Sequence, residues 1–114
     1  MSKALLTIEH YKCLSFYDLP TIFQCRTQNR KIYLFCLLEE ETLTYLGKQV
    51  GSEQLKQFLN CEVDLLTIFQ ESTHPYLKMQ FSNETTLEGD ELDPLEVASE
   101  MLPAAGLYIS ASPK

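Results

Sequence analysis

Nucleophilic chemistry in this 114-residue chain would fall to Cys13, Cys25, Cys36 or Cys61, working with His10 or His74. A thiol attacks as its thiolate, so it needs a nearby base and a third group to orient that base. The spacing marks no such arrangement: His10 continues the strand phase of Leu6 and Ile8, and His74-Pro75 has the form of a turn. There is no Cys-x-x-Cys pair, so neither a redox motif nor a zinc site is expected. Sixteen acids form many carboxylate pairs by chance, which makes paired acid/base catalysis unspecific. Glu39-Glu40-Glu41 suits a solvated turn, and Glu88 to Asp93 lacks the ligand spacing of a calcium loop. Neither a Gly-x-x-x-x-Gly-Lys phosphate loop nor a Gly-x-Gly-x-x-Gly turn is present, which excludes nucleotide binding by those routes. The expectation is a non-enzyme with no catalytic residue, cofactor or metal.

Charge is more informative than motif. Residues 1–78 hold nine acids against eight bases, whereas 79–114 hold seven acids against Lys114 alone, so nearly all of the net charge of -7 lies in the last third. Such a region repels nucleic acid and attracts basic surfaces. Arg26, Arg30 and Lys31 are too few to make a nucleic-acid footprint on a chain of pI near 4.7. The expected contact residues are Glu88, Asp90, Glu91, Asp93, Glu96 and Glu100, facing another protein with a basic surface. No apolar run approaches the roughly 20 residues of a membrane span, and Met1 to His10 meets Glu9 too early for a secretory segment. The expected setting is cytoplasmic, with the cysteines as free thiols, three of them in strand-like apolar runs. Asn83-Glu84-Thr85 is then a coincidental sequon.

The elements that must position these residues follow from periodicity. Leu5 to Leu14 alternates as a strand, Phe16 to Pro20 interrupts it, and Thr21 to Thr27 alternates with Phe23 and Cys25 on one face. Lys31 to Leu38 is continuously apolar after its first residue, the pattern of a strand covered on both faces. Thr42 to Gly47 resumes the alternation and completes an antiparallel meander. Ser52 is the expected cap of a helix carrying Leu55, Phe58 and Leu59 on one stripe, and Asp64 caps another carrying Leu65, Ile68 and Phe69. Tyr76 to Phe81 is a further strand, and Ser82 to Asp93 has the composition of a loop. Asp93-Pro94-Leu95-Glu96 signals a third helix, with Leu95, Ala98, Met101 and Leu102 on one face, ending at Pro103. In the tail, Leu107-Tyr-Ile109 is an apolar cluster able to dock.

Phe16-Tyr-Asp-Leu-Pro-Thr-Ile-Phe23, Ile32-Tyr-Leu-Phe35, Thr44-Tyr-Leu46 and the segment Leu55 to Phe69 together resemble an uncharacterised family of small bacterial domains. Its pattern is a Tyr-Asp-x-Pro opening, two strands and a Leu-x-x-Leu-x-x-Gly-x-Ile-Asp-Leu-x-x-x-Phe helical segment. Asn60 and Cys61 stand where that pattern has glycine. The resemblance covers about residues 5–70 and implies a bacterial or phage-associated cytosolic protein, with no activity attached.

The sequence therefore predicts a single α+β domain over 1–114, an antiparallel sheet of four or five strands with two or three short helices packed on it. Residues 1–81 form its body, and 82–114 an acidic loop, short helix and tail. The expected function is a small acidic protein-interaction module: an adaptor, inhibitor or immunity-type protein. The alternatives are a small enzyme or accessory subunit with a Cys, His or carboxylate site, and a homodimer that pairs exposed strand edges.

Overall fold

In the computed structural model, which describes residues 2–103, 106 and 107, six antiparallel strands close into a barrel in chain order. They are β1 (Ser2–Tyr17), β2 (Leu19–Thr27), β3 (Ile32–Glu39), β4 (Thr44–Val50), β5 (Tyr76–Asn83) and β6 (Thr86–Leu92). Two helices, α1 (Ser52–Leu59) and α2 (Leu65–Glu71), connect β4 to β5 and lie outside the barrel. The fold is thus a closed six-stranded barrel and not the expected open α+β sheet of four or five strands.

Two strands make the difference. Residues 86–92, expected as acidic loop, form β6, which pairs with β5 and with the first part of β1. β1 is long enough to serve two neighbours: Ser2 to Thr7 pairs with β6, and Ile8 to Tyr17 pairs with β2. Register shifts after Ile8 and after Cys13 mark bulges, which bend and twist a strand as closure requires. The interruption expected at Phe16 to Pro20 is a tight turn in which only Asp18 leaves the extended region, at φ 64°.

The continuous apolar run of β3 follows from the two layers it separates. Tyr33 and Phe35 point into the barrel with Ile8, Phe23, Cys25, Tyr45, Leu77, Met79 and Leu87. Leu34 and Cys36 point outward and join Ile22, Leu46 and Val50 beneath Phe58, Leu65, Ile68 and Phe69 of the helices. Phe23 is the hub of the interior, stacked on Phe35 at 5.2 Å between ring centroids and met edge-on by Tyr45 at 4.9 Å. Gly47 faces Phe35, and a Cβ there would overlap its ring.

Lys48 has the outward phase of Leu46 and Val50 and is buried at 3% exposure. Its Nζ donates to the carbonyls of Phe69 at 2.6 Å and Ser72 at 2.7 Å, and lies 4.1 Å from the centre of the Tyr76 ring. A buried cation thereby satisfies the carbonyls that the end of α2 leaves open. At the other end of α2, Asp64 accepts from the Thr67 amide at 2.9 Å, the expected cap, and from the Gly106 amide at 2.7 Å.

The third expected helix does not form. Pro94–Glu96 and Ser99–Met101 are single 3-10 turns, and Leu95, placed on its apolar face, is 99% exposed. Val97, Met101, Leu102 and Leu107 pack instead on the outer core, and the Leu65 amide donates to the Leu107 carbonyl at 3.0 Å. Tyr108 and Ile109 lie outside the described residues. No helix among the described residues is long and apolar enough to cross a membrane.

Candidate functional site

The expected acidic contact residues are distributed by strand phase and by the turns after β6. Glu88 and Asp90 point outward from β6 and line a groove of about 600 Å³ with Lys3, Glu39, Thr42, Thr44, Lys78 and Gln80. Glu91 has the opposite phase and lines a cavity at one end of the barrel. Asp93 and Glu96 are tied together, the Glu96 carboxylate accepting from the Asp93 amide at 2.8 Å. Glu100 borders a separate cavity with Thr21, Leu38 and Met101. The structure thus brings Glu88 and Asp90 together, adds Glu39 to them, and places the other four elsewhere.

The groove has a prepared wall. Thr42 and Thr44 share a hydroxyl hydrogen bond at 2.6 Å, Gln80 donates to Thr44 at 2.9 Å, and Thr42 donates to Glu39 at 3.4 Å. The bend that follows β3 therefore holds Glu39 on the same face as the β6 acids. Lys3 lies 3.8 Å from Asp90, a solvent-exposed pair of little energetic weight. Lys3, Leu5 and Glu88 are exposed, so this part of the barrel wall faces solvent, whereas Leu34, Cys36, Leu46 and Val50 of β3 and β4 lie beneath the helices.

The two ends of the barrel differ in chemistry. At one, Tyr11 and Phe81 cover Phe23 at 5.1 and 5.5 Å and are themselves half-exposed, forming an aromatic plug. At the other, inward-phase residues turn polar. Ala4, Leu6, Tyr33, Gln49, Leu77 and Glu91 line a cavity of about 330 Å³ whose rim adds Lys31 and His74. Thr27, also inward, lines an adjoining cavity of about 340 Å³ that shares Leu6, Lys31 and Tyr33. Burial, with smaller contributions from Cys25 and Glu91, raises the Tyr33 phenol above its usual range.

The cysteines do not assemble with the histidines. Cys25 inside the barrel and Cys36 in the outer core are buried, and burial pushes both thiols up to about 12, which keeps them protonated at neutral pH. Cys61 is exposed, and Cys13 donates to the Ser15 carbonyl at 3.3 Å. His10 borders a groove with Lys12, Gln24 and Arg26, and His74 sits at the polar mouth.

Sequence reasoning missed Thr27, Tyr33 and Gln49. Their signal was present: Thr27 continues the phase of Phe23 and Cys25, Tyr33 that of Phe35, and Gln49 that of Tyr45 and Gly47. Only closure of the sheet brings these strand ends to one opening. Comparison with protein-family models, curated proteins and solved structures finds no match to this chain. Function must therefore be argued from the residues themselves.

Proposed function

We propose that this protein is a non-enzymatic interaction module, an adaptor, inhibitor or immunity-type protein that binds a basic surface of another protein. The observation that carries the reading is the groove in which Glu88 and Asp90 of β6 meet Glu39 on a wall fixed by Thr42, Thr44 and Gln80. A lysine or arginine seated there gains charge-assisted hydrogen bonds from carboxylates that the strands bring to one face. The net charge of -7 steers the approach of a basic partner and makes the association salt-sensitive. A cytoplasmic setting accords with this reading, because Cys25 and Cys36 serve as packed thiols.

Affinity capture from source-cell lysate, at low and moderate salt, tests it with the parent protein and an E39Q/E88Q/D90N variant. The reading requires a partner that salt weakens and the variant loses while its thermal stability is retained. Capture by the variant equal to that of the parent would sink it.

A further inference from the structure

We propose that the polar mouth of the barrel is a second binding site, for a small zwitterion of the α-amino acid class, independent of the acidic groove. The site is built from every strand. Leu6, Thr27, Tyr33, Gln49, Leu77 and Glu91, one from each of β1 to β6, line the two adjoining cavities. The mouths of β-barrels are a frequent place for small-molecule sites, whose volumes start at about 300 Å³. Deeper in the barrel Met79 and Leu87 are fully buried, and the aromatic plug covers Phe23 toward the far end.

Two observations specify the ligand. Lys31 and Glu91, both exposed to solvent at the mouth, line the same cavity, yet the ion pairs among the described residues are Lys3–Asp90 and Glu9–His10, so these two opposite charges share the cavity without joining each other. Each is left to a ligand group of the opposite sign: a carboxylate for Lys31 and an ammonium for Glu91. The second observation is the Thr27 hydroxyl. Thr27 is 8% exposed and its Oγ1 has no hydrogen-bond partner, an arrangement that native interiors rarely leave without a reason. The Tyr33 phenol and the Gln49 amide offer neutral hydrogen bonds to a polar side chain, while Leu6 and Leu77 take its apolar stem; the Thr27 hydroxyl, closed off in the empty barrel, joins them once its neighbours shift around the ligand. A free amino acid carries both charges at this scale. An inorganic anion or a simple amine satisfies only half of the site.

The test is titration of the isotope-labelled full chain with each common α-amino acid up to about 10 mM, which reveals a Kd in the millimolar range. Amide signals and melting temperature are followed together. At least one amino acid is expected to move the signals of Thr27, Tyr33, Gln49 and Glu91 and to raise the melting temperature. K31Q and E91Q each weaken that binding by about tenfold or more, the scale of one lost charge-assisted hydrogen bond. T27V weakens it as well without loss of stability, because its hydroxyl has no partner in the protein. E88Q/D90N leaves it unchanged, which separates this site from the acidic groove. The proposal is overturned if no amino acid perturbs the mouth. It is equally overturned if K31Q and E91Q bind as the parent does, or if the deaminated acid and the decarboxylated amine bind as tightly as the amino acid.

Discussion

Replacing Lys48 with methionine tests how the helical layer is fixed to the barrel. The side chain is 3% exposed, so the substitution keeps its volume and removes the charge. Two charge-assisted hydrogen bonds, to Phe69 and Ser72, contribute about 1.5–3 kcal/mol each. The contact with the Tyr76 ring adds about 1 kcal/mol. Against these stands the cost of desolvating an ammonium, about several kcal/mol, which K48M no longer bears. The net expectation is a loss of about 2 kcal/mol, or about 8 °C in melting temperature for a domain of this size. The pH dependence has a definite sign. Burial holds the Lys48 ammonium below its ordinary 10.5, so between the lowered value and 10.5 the unfolded chain binds more protons and stability rises with pH. All other titrations are common to both proteins, so the advantage of the parent over K48M should widen as pH approaches 10.5. Denaturant unfolding of both proteins across pH 7 to 10.5 reads this difference. A K48M variant as stable as the parent would refute the role assigned to the lysine, and a gap that narrows with pH would show that its hydrogen bonds, and not desolvation, govern its titration.

Three further outcomes are expected. Cys25 and Cys36 are pushed up to about 12 from an ordinary 9.0, so their contribution is complete below pH 9 and lost as pH climbs toward 12; each thiol gives up about 1.4 kcal/mol per pH unit in that window, and C25A should flatten the alkaline slope measured by denaturant unfolding. Cys61 is exposed at φ 58° just past the end of α1, where the Cys61 and Glu62 amides close on the Phe58 and Gln57 carbonyls; C61G should raise stability by about 0.5–1 kcal/mol while C61A does not, and an equal gain from both would mean that backbone strain is not the cause. G47A forces a methyl into the Phe35 ring and should cost about 1–3 kcal/mol in chemical denaturation, and a neutral result would show that the interior has room to give.

The parts of the fold that local pattern can encode were legible in the sequence. The alternation of residues 21–27, the continuous run of 31–38 and the apolar stripes of α1 and α2 correspond to elements observed at those positions. The Asp64 cap is present as its residue type suggests. β6 was hidden because two of its features imitate a loop. Its outward residues are acidic, and its centre is Gly89, which is there because a Cβ would overlap the Lys78 carbonyl of the neighbouring strand. Closure depends on β1 meeting β6 across about 80 to 90 positions of chain, and no local signal carries that pairing. The third helix failed for the converse reason: Asp93 to Glu96 encodes a helical start, and the anchoring of Val97, Met101 and Leu102 on the outer core overrides its continuation. The candidate sites follow the same division. Acid content was readable, but whether Glu88 and Glu91 share a face depends on strand phase, and reading residues 82–93 as loop concealed that they do not.

Zero-length carbodiimide cross-linking in source-cell lysate, with joined peptides identified by mass spectrometry, tests the proposed interaction most directly, because it couples a carboxylate only to an amine in contact with it. The account predicts partner lysines joined to Glu39, Glu88 or Asp90, and their loss in E39Q/E88Q/D90N or at moderate salt. Cross-links concentrated on Asp93, Glu96 or Glu100, or a pattern unchanged in the variant, would contradict it.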